Sequence, residues 1–500
     1  MPTHHRTPIG PSDRIHVQGR YLFRENGERF FVRGMGFPIP PPPVGPTTRP
    51  DYYYVNTTGW KAVLDQLAAT DDALNTVRLY QANCTRPDDY DDFLRHAAQL
   101  GIYVIWPLTT ATGDGVLART ASCQRPKHRR HLQSYGKACW ENIVARHPNI
   151  LAGTVGNEVM NTLVAWQAAA PCVKAYAQDL AQIMANDDSH SIINHTSTPP
   201  YRLPLLYAAQ HDSPTADILP DEAMAWTLNY LACREDDDQD DDDDATNDLN
   251  LIFGVNIESW CSSLQTFEYE EDGISESSYH ALWRTLQQPD VAYVPVIFSE
   301  MGCSRALFNR DNGLREGEES TLANNGGGGG TLIAPRDWQQ IPVVLHEMAN
   351  VWSGFVAYAY DGGGNPLFRI MGGGTSLWNG RDVLPADTAD YANFRHQLQR
   401  AVATMNDDAT SFLAAPNTTT SGRPSCTTVR NEIAKAWHVK LVRLPALSSP
   451  AQRLTFYVVH HWLLLLLLLL VGVGWCWRWR RGKAKPEKGA GPTEQDPLLS

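Results

Sequence analysis

The sequence predicts an α/β fold, a (β/α)₈ TIM barrel with long loops, followed by a C-terminal single transmembrane helix. Eight short apolar runs, typical of buried strands, occur between residues 15 and 360, and helical patterns lie between many of them. A strand followed by a helix, repeated eight times, is the pattern of a closed parallel barrel. A single longer apolar run, residues 454–477, has the length that crosses a bilayer.

The first predicted strand ends a small hairpin within residues 15–34, and the Asn26 and Gly27 pair is expected to supply its turn. The other seven predicted strands are residues 76–80, 103–107, 151–156, 191–194, 251–256, 294–298 and 355–360. Apolar residues at helical spacing predict helices over residues 90–100, 135–146 and 173–186. A barrel of this kind has its active site at the C-terminal ends of the strands.

Two carboxylates stand at such strand ends. Glu158 follows the fourth predicted strand and Glu300 lies at the end of the seventh. A retaining glycosidase needs one carboxylic acid to protonate the leaving oxygen and a second carboxylate as nucleophile. A lone glutamate is more often an ordinary surface residue, but two at matching strand ends predict a sugar-cleaving or sugar-transferring enzyme. This chemistry requires no metal and no cofactor, so none is expected.

Further polar residues close neighbouring strands. Arg78 and Tyr80 end the second predicted strand, while Tyr358 and Tyr360 end the eighth. Because all strand ends meet on one face of the barrel, we expect these residues to bind the substrate around the two acids.

Composition excludes some functions. The formal net charge of −13 is concentrated in the acidic run 235–244, which gives no support for nucleic-acid binding. We interpret residues 235–248 as a solvated, disordered insert, with calcium binding as the alternative. Nine cysteines without zinc-site spacing predict disulfides in an oxidising compartment. Four sequons, at Asn56, Asn83, Asn194 and Asn417, are compatible with a glycosylated lumenal domain.

The C-terminal region predicts membrane attachment. Residues 454–477 contain eight consecutive leucines flanked by aromatic residues, and five basic residues follow between 478 and 485. The positive-inside tendency therefore places the tail in the cytosol and the rest of the chain outside the cell or in a lumen. The terminal run 494–499 resembles an acidic dileucine sorting signal, which makes endosomes or vacuoles an alternative to the plasma membrane and cell wall. The first twenty residues lack the apolar segment of a signal peptide.

The predicted domain boundaries follow from these features. A polar leader covers residues 1–14, the barrel covers 15–414, and a Ser/Thr/Pro-containing linker covers 415–453. The transmembrane helix at 454–477 and a basic cytosolic tail at 478–500 complete the chain. We expect the protein to be a monomer.

Several motifs in order resemble glycoside hydrolase family 72, the β-1,3-glucanosyltransferases that elongate cell-wall glucan in fungi. The similarity runs from about residue 15 to residue 414 and includes the segments 31–37, 75–80, 101–105, 156–159, 253–261, 298–303 and 352–358. The resemblance implies that Glu158 is the acid/base, that Glu300 is the nucleophile, and that Asn157 hydrogen-bonds the sugar 2-hydroxyl. It also implies β-1,3-glucan as both donor and acceptor.

The chain departs from the family pattern at two positions. Glu258 stands where the family usually carries Tyr, and Ala359 stands where a carboxylate is common. We expect Glu258 to contact the substrate, and the phenol that usually partners the nucleophile in this family is absent from the chain. Three alternatives remain open at this point: a β-1,3-glucan hydrolase, a silent membrane-tethered glucan-binding protein, and an enzyme for another β-linked glucan.

Overall fold

The computed structural model describes residues 7–37, 59–69, 73–110, 115–117, 119, 123, 125–186, 201–214, 217–235, 249–260, 277–289, 291, 293–304, 335–360, 368–370, 388–408, 423–439, 441 and 444. These residues all belong to one compact unit that ends at Leu444. The acidic run beyond Glu235, the segment 454–477 and the basic tail lie outside the described residues. Among the helices that are described, none is both long and apolar enough to cross a membrane.

A two-stranded hairpin lies at the N-terminal end of the barrel. Strands β1 (Ile15–Gln18) and β2 (Tyr21–Arg24) pair antiparallel, and the turn between them is Gly19 and Arg20. The predicted turn at Asn26 and Gly27 is present as a second reverse turn after β2, where Gly27 N donates to Arg24 O and Phe23 pairs antiparallel with Arg29. Ile15, Leu22 and Phe30 pack with inward-facing strand residues such as Val32 and Tyr103. The hairpin thus closes the N-terminal end of the barrel.

Eight parallel strands form the closed barrel that the sequence predicts, in the order β10-β3-β4-β5-β6-β7-β8-β9. Nearly every residue in these strands is buried, because helices cover the outside and side chains fill the inside. The strands are β3 (Val32–Gly36), β4 (Thr76–Arg78), β5 (Tyr103–Pro107), β6 (Ile150–Asn157), β7 (Leu205–Gln210), β8 (Leu251–Ile257), β9 (Val296–Met301) and β10 (Trp352–Ala357).

The fifth barrel strand is not where the sequence predicted it. Residues 191–194 lie outside the described residues, and β7 pairs with both β6 and β8 to fill the fifth position. The run Leu205–Gln210 contains two alanines and two leucines and begins next to Pro204. Such a short apolar run has no periodicity that separates a buried strand from a helix segment.

The helices of the outer layer follow the strands in turn. They are α1 (Gly59–Ala68), α2 (Asp91–Gln99), α3 (Pro126–Cys139), α4 (Leu163–Ala185), α5 (Pro220–Ala232), α6 (Ser278–Leu286), α7 (Ala389–Asp408) and α8 (Cys426–Trp437). The predicted helix at 173–186 is only the second half of α4. Thr162 caps the start of this helix, its hydroxyl accepting from Ala165 N, and Pro171 lies inside it. The proline and a run of alanines hide the amphipathic pattern of its first turns.

Disulfides join separate elements of this layer, as the cysteine content predicted. The bonded pairs are Cys84–Cys139, Cys123–Cys172 and Cys233–Cys426, and Cys303 is also disulfide-bonded. The third pair ties α8 to the end of α5, and Arg430 of α8 forms an ion pair with Glu235. Helix α8 lies within the segment 415–453 that we predicted as a linker, so packed structure continues beyond residue 414.

Candidate active site

Arg78, at the end of β4, is the centre of a polar cluster at the C-terminal mouth of the barrel. Its side chain is only 1% exposed. Its Nη1 donates to Ser299 O at 2.7 Å and to Glu300 Oε1 at 3.1 Å, and its Nη2 donates to Asn157 Oδ1 at 2.7 Å. An arginine keeps its charge even when buried, and its planar fork fixes the positions of several oxygen atoms. Arg78 therefore links the end of β6 with the end of β9.

Asn256, near the end of β8, completes the connection between the two acids. Its Nδ2 donates to Glu158 Oε1 at 2.9 Å and to Asn157 Oδ1 at 3.2 Å. Its Oδ1 accepts from Ser299 Oγ at 2.7 Å and lies 3.5 Å from Arg78 Nη1. Glu158 and Glu300 are thus joined through Asn256 and Arg78, with Asn157 bridging the same two residues.

The two acids differ in their surroundings. The side chain of Glu300 is 8% exposed and that of Glu158 is 26% exposed. Glu158 also has a left-handed backbone with φ 51°, which turns the chain sharply where β6 ends. Glu158 is consequently open to solvent and to a leaving group, whereas Glu300 is fixed at the bottom of the mouth.

Burial sets the protonation of Glu300 in the free site. It raises the pKa of Glu300 to about 8, and the neighbouring charges of Glu158 and Glu258 act in the same direction. The Arg78 guanidinium and the Tyr80 hydroxyl favour the ionised form and limit the rise. Burial and the charge of Glu158 likewise raise the pKa of Glu258 to about 7. The cluster of Glu158, Glu258 and Glu300 therefore retains a proton close to neutral pH.

Aromatic side chains line the same mouth. The Tyr80 ring lies 4.7 Å below the Arg78 guanidinium carbon and packs edge-on against Tyr358, with ring centroids 6.0 Å apart. Tyr358 also packs edge-on against Phe368. Burial raises the pKa of Tyr80 well above its usual value, so this phenol stays protonated. Both rings therefore lie at the mouth that holds the two acids.

The structure therefore brings together most of the residues that the sequence nominated: Arg78, Tyr80, Asn157, Glu158, Glu258, Glu300 and Tyr358. Tyr360 is placed differently, because its hydroxyl donates to Gln66 Oε1 on α1 at 3.0 Å. Its ring is 1% exposed and packs between the barrel and the helix layer. Tyr360 is better explained by packing than by substrate contact.

Two residues of the cluster were not nominated from the sequence. Asn256 lies on β8, the sixth barrel strand, one residue before the strand ends. This position at a strand end could have identified Asn256 as a site residue from the sequence. Arg119 lies between β5 and α3, where no periodic pattern exists, and its Nε donates to Glu158 O at 2.9 Å. No group of three or more His, Cys, Asp or Glu among the described residues could hold a metal ion.

The chain that forms this site matches a known protein family over most of the chain's length. The sequence model of the family described as Glucanosyltransferase, glycoside hydrolase family 72, matches residues 10–400. The chain belongs to the glucanosyltransferase family. The resemblance drawn from the sequence motifs is therefore confirmed.

Two curated members of the glucanosyltransferase family are similar in sequence. The 1,3-beta-glucanosyltransferase gas1 of Schizosaccharomyces pombe is 26% identical over 349 residues, which is 69% of this chain and 50% of that protein. The probable 1,3-beta-glucanosyltransferase GAS3 of Saccharomyces cerevisiae is 27% identical over 258 residues, 51% of this chain and 43% of that protein. The chain spans about half the length of the curated relatives it matches.

Solved structures of Saccharomyces cerevisiae Gas2p share the barrel. Saccharomyces cerevisiae Gas2p in complex with laminaripentaose aligns with a TM-score of 0.52 and 19% identity, covering 78% of this chain and 70% of that one. A second Gas2p structure, with laminaritetraose and laminaripentaose, aligns with a TM-score of 0.51 and covers 78% of this chain and 68% of that one. At this identity the likeness supports the fold.

Proposed function

We propose that this protein is a retaining β-1,3-glucanosyltransferase, which cleaves an internal β-1,3-glucosidic bond and transfers the new end to another glucan chain. The observation that carries the proposal is the pair of acids at the ends of β6 and β9, joined through Asn256 and Arg78. Family membership and the activity after which the relatives are named support the transfer reaction. The laminaripentaose bound to Gas2p supports a β-1,3-glucan as the substrate.

The first step starts with Glu300 ionised and with the proton of the acid cluster on Glu158. Glu300 then attacks the anomeric carbon of the glucosyl unit in the site, while Glu158 donates this proton to the departing oxygen. The lower exposure of Glu300 suits the nucleophile, because little water solvates the carboxylate that must attack the sugar. The greater exposure of Glu158 suits the acid, because the leaving chain must depart past it. A glycosyl ester on Glu300 results.

In the second step Glu158 acts as a base. It removes a proton from the 3-hydroxyl of an incoming glucan, whose oxygen then displaces Glu300 from the anomeric carbon. If water enters instead, the same step is hydrolysis. The proposal assigns transfer because the curated relatives carry that activity in their names.

The remaining residues of the mouth hold the sugar and the nucleophile. Asn157 is held by Arg78 and by Asn256, so its amide nitrogen is free to be aimed at the sugar 2-hydroxyl. Tyr80 and Tyr358 supply apolar faces and hydroxyls beside Glu300. Glu258, close to both acids, supplies a carboxyl group for a sugar hydroxyl.

Product sizing tests the proposal. The purified protein is incubated with laminari-oligosaccharides of one length, and the products are separated by size. Products both longer and shorter than the donor are expected. Shorter products alone would show a hydrolase, and unchanged oligosaccharide with measurable binding would show a silent glucan-binding protein. Turnover of another β-linked glucan in place of laminarin would contradict the assigned substrate.

We also propose that residues 454–477 anchor the protein as a single-pass membrane protein, with the barrel on the extracellular or lumenal side. The apolar run and the basic residues after it support this topology. Extraction of cell membranes at alkaline pH should leave the full chain in the membrane pellet. Its release into the soluble fraction would contradict the anchor.

A further inference from the structure

The turn that carries Glu158 is held by hydrogen bonds on both sides. A non-glycine residue with φ 51° is uncommon and persists only where the surroundings fix it. Glu158 N donates to Ala208 O of β7 at 2.8 Å, and Met160 N donates to the Tyr207 hydroxyl at 3.1 Å. On the opposite side, Glu158 O accepts from Arg119 Nε at 2.9 Å.

Arg119 makes two more contacts with the same turn. Its Nη2 lies 3.8 Å from Glu158 Oε2. With the Asn161 amide oriented to present its oxygen, Asn161 accepts from Arg119 Nη2 at 3.0 Å. One guanidinium thus contacts the backbone carbonyl of Glu158, its carboxylate, and a side chain three residues further on.

The Glu158 carboxylate therefore has a different partner on each oxygen. Asn256 donates to Oε1 from the interior of the barrel, and Arg119 faces Oε2 from the rim. Two partners on two oxygens fix the plane of a carboxylate, which a single hydrogen bond does not. The arginine side chain is 52% exposed, so it can adjust as a glucan enters or leaves.

We propose that Arg119 is a positioning residue that orients Glu158 for proton transfer. The inference rests on the proposed function, because it takes the acid/base role of Glu158 from there. Arg78 serves Glu300 in the same manner, so each acid of the pair has its own arginine. Orientation of the acid/base matters only in steps that move a proton to or from the substrate.

Substrates that react without this proton transfer can distinguish a positioning role of Arg119 from a role in folding. A β-laminaribiosyl fluoride releases fluoride ion without an acid, and azide ion attacks the glycosyl ester without a base. The product is a β-glycosyl azide, with Glu300 returned as the free carboxylate. This reaction needs the nucleophile and the sugar site, but not an oriented Glu158.

The experiment compares Arg119→Met, Arg119→Lys, Glu158→Gln and the control Arg95→Met on two reactions. Arg95 is a similarly exposed arginine on α2 that pairs with Asp92, far from the acids in the structure. On laminaripentaose, Arg119→Met is expected to lower kcat about 10- to 100-fold with little change in KM. On the fluoride with azide it should stay within about twofold of the wild type, because no proton is transferred. Arg119→Lys, which keeps the charge, should recover part of the loss, and Arg95→Met should change neither reaction.

Two results would overturn the inference. If Arg119→Met lost both reactions equally, Arg119 would merely support the fold of the mouth. If it kept full activity on laminaripentaose, Glu158 would not depend on it. Glu158→Gln reports separately on the proposed function, since it must lose the laminaripentaose reaction and keep the azide reaction. Failure of Glu158→Gln to show that selective loss would contradict the acid/base role itself.

Discussion

At the scale of single residues, the site depends on charges that partly cancel. One buried guanidinium, that of Arg78, pairs with Glu300, and the charges of Glu158 and Glu258 also act on that carboxyl group. A buried carboxylate is stable when it is paired and hydrogen-bonded, and Glu300 has both kinds of contact. Burial, together with the negative charges of Glu158 and Glu258, keeps the pKa of Glu300 raised.

Replacing either acid by its amide should stop turnover and leave the fold intact. Glutamine has the size of glutamate and can still accept from Arg78 or Asn256. We expect Glu158→Gln to lower kcat on laminaripentaose about 10²- to 10⁴-fold, the usual contribution of one general acid. Glu300→Gln should lose more, because no ester can form. Undiminished turnover, measured beside an unchanged melting temperature, would remove that residue from its role.

Glu258 should set part of the pH dependence. Its negative charge raises the pKa of Glu300, so the variant Glu258→Gln should let Glu300 ionise at lower pH. Because the nucleophile must be ionised, the acidic limb of the kcat/KM profile should move to lower pH. Glu28→Gln, an exposed acid near the hairpin, is the control and should leave the profile unchanged. A shift to higher pH in Glu258→Gln would contradict the electrostatic coupling.

At the scale of elements, several outer helices are held by buried polar contacts. The Lys174 side chain of α4 is 4% exposed, and its Nζ donates to the carbonyls of Tyr230, Leu231 and Cys233 at 3.0, 3.3 and 3.1 Å. These carbonyls end α5 and have no partner further along the helix. A cation at the C-terminal end of a helix also interacts favourably with the negative end of the helix dipole.

Lys174→Met should therefore destabilise the protein although it keeps the apolar stem of the side chain. Losing a buried cation from three carbonyls is expected to cost about 2–4 kcal/mol in the free energy of unfolding. Urea unfolding with the disulfides intact measures this. Lys137→Met serves as the control. Lys137 lies on the exposed surface of α3, and its ion pair with Glu141, just after the helix, is exposed as well. Equal stability of the two variants would show that Lys174 does not cap α5.

At the scale of the whole molecule, the barrel closes between β10 and β3, the last and first of its strands. Gly354 stands beside Val32 at this seam with φ 114°. A Cβ atom on Gly354 would lie 1.9 Å from Val32 O, which no real side chain allows. Closure of the barrel between β10 and β3 therefore requires glycine at position 354, because any side chain there would clash with Val32.

Gly354→Ala is expected to prevent closure of the barrel. The clash is with backbone, so it cannot be relieved by a rotamer change, and the loss should exceed about 4 kcal/mol. Gly27→Ala is the matched control, because Gly27 has φ 82° with no atom within 4 Å of a Cβ. That control should cost about 1–2 kcal/mol, the price of the left-handed backbone alone. A soluble Gly354→Ala protein that unfolds like Gly27→Ala would refute the steric argument.

The sequence predicts the barrel and its two acids well because both depend on local patterns. Buried strands are apolar runs, and Glu158, Glu300 and Arg78 stand at the ends of such runs, so the closed barrel brings them together. Arg119 could not be predicted, because its position depends on how a loop without periodicity crosses the mouth. The fifth strand was misplaced for a related reason, since residues 191–194 and 205–210 are both short apolar runs.

The hairpin at the N-terminal end of the barrel has a practical consequence. Ile9 N donates to Ala98 O near the C-terminal end of α2, so the described chain begins on the side away from the acids. An affinity tag joined ahead of residue 7 would therefore be attached on the side away from the acids. The protein immobilised on a sensor surface by such a tag would present the mouth with Glu158 and Glu300 to the solution, which is the orientation needed to test the proposed binding of long glucans.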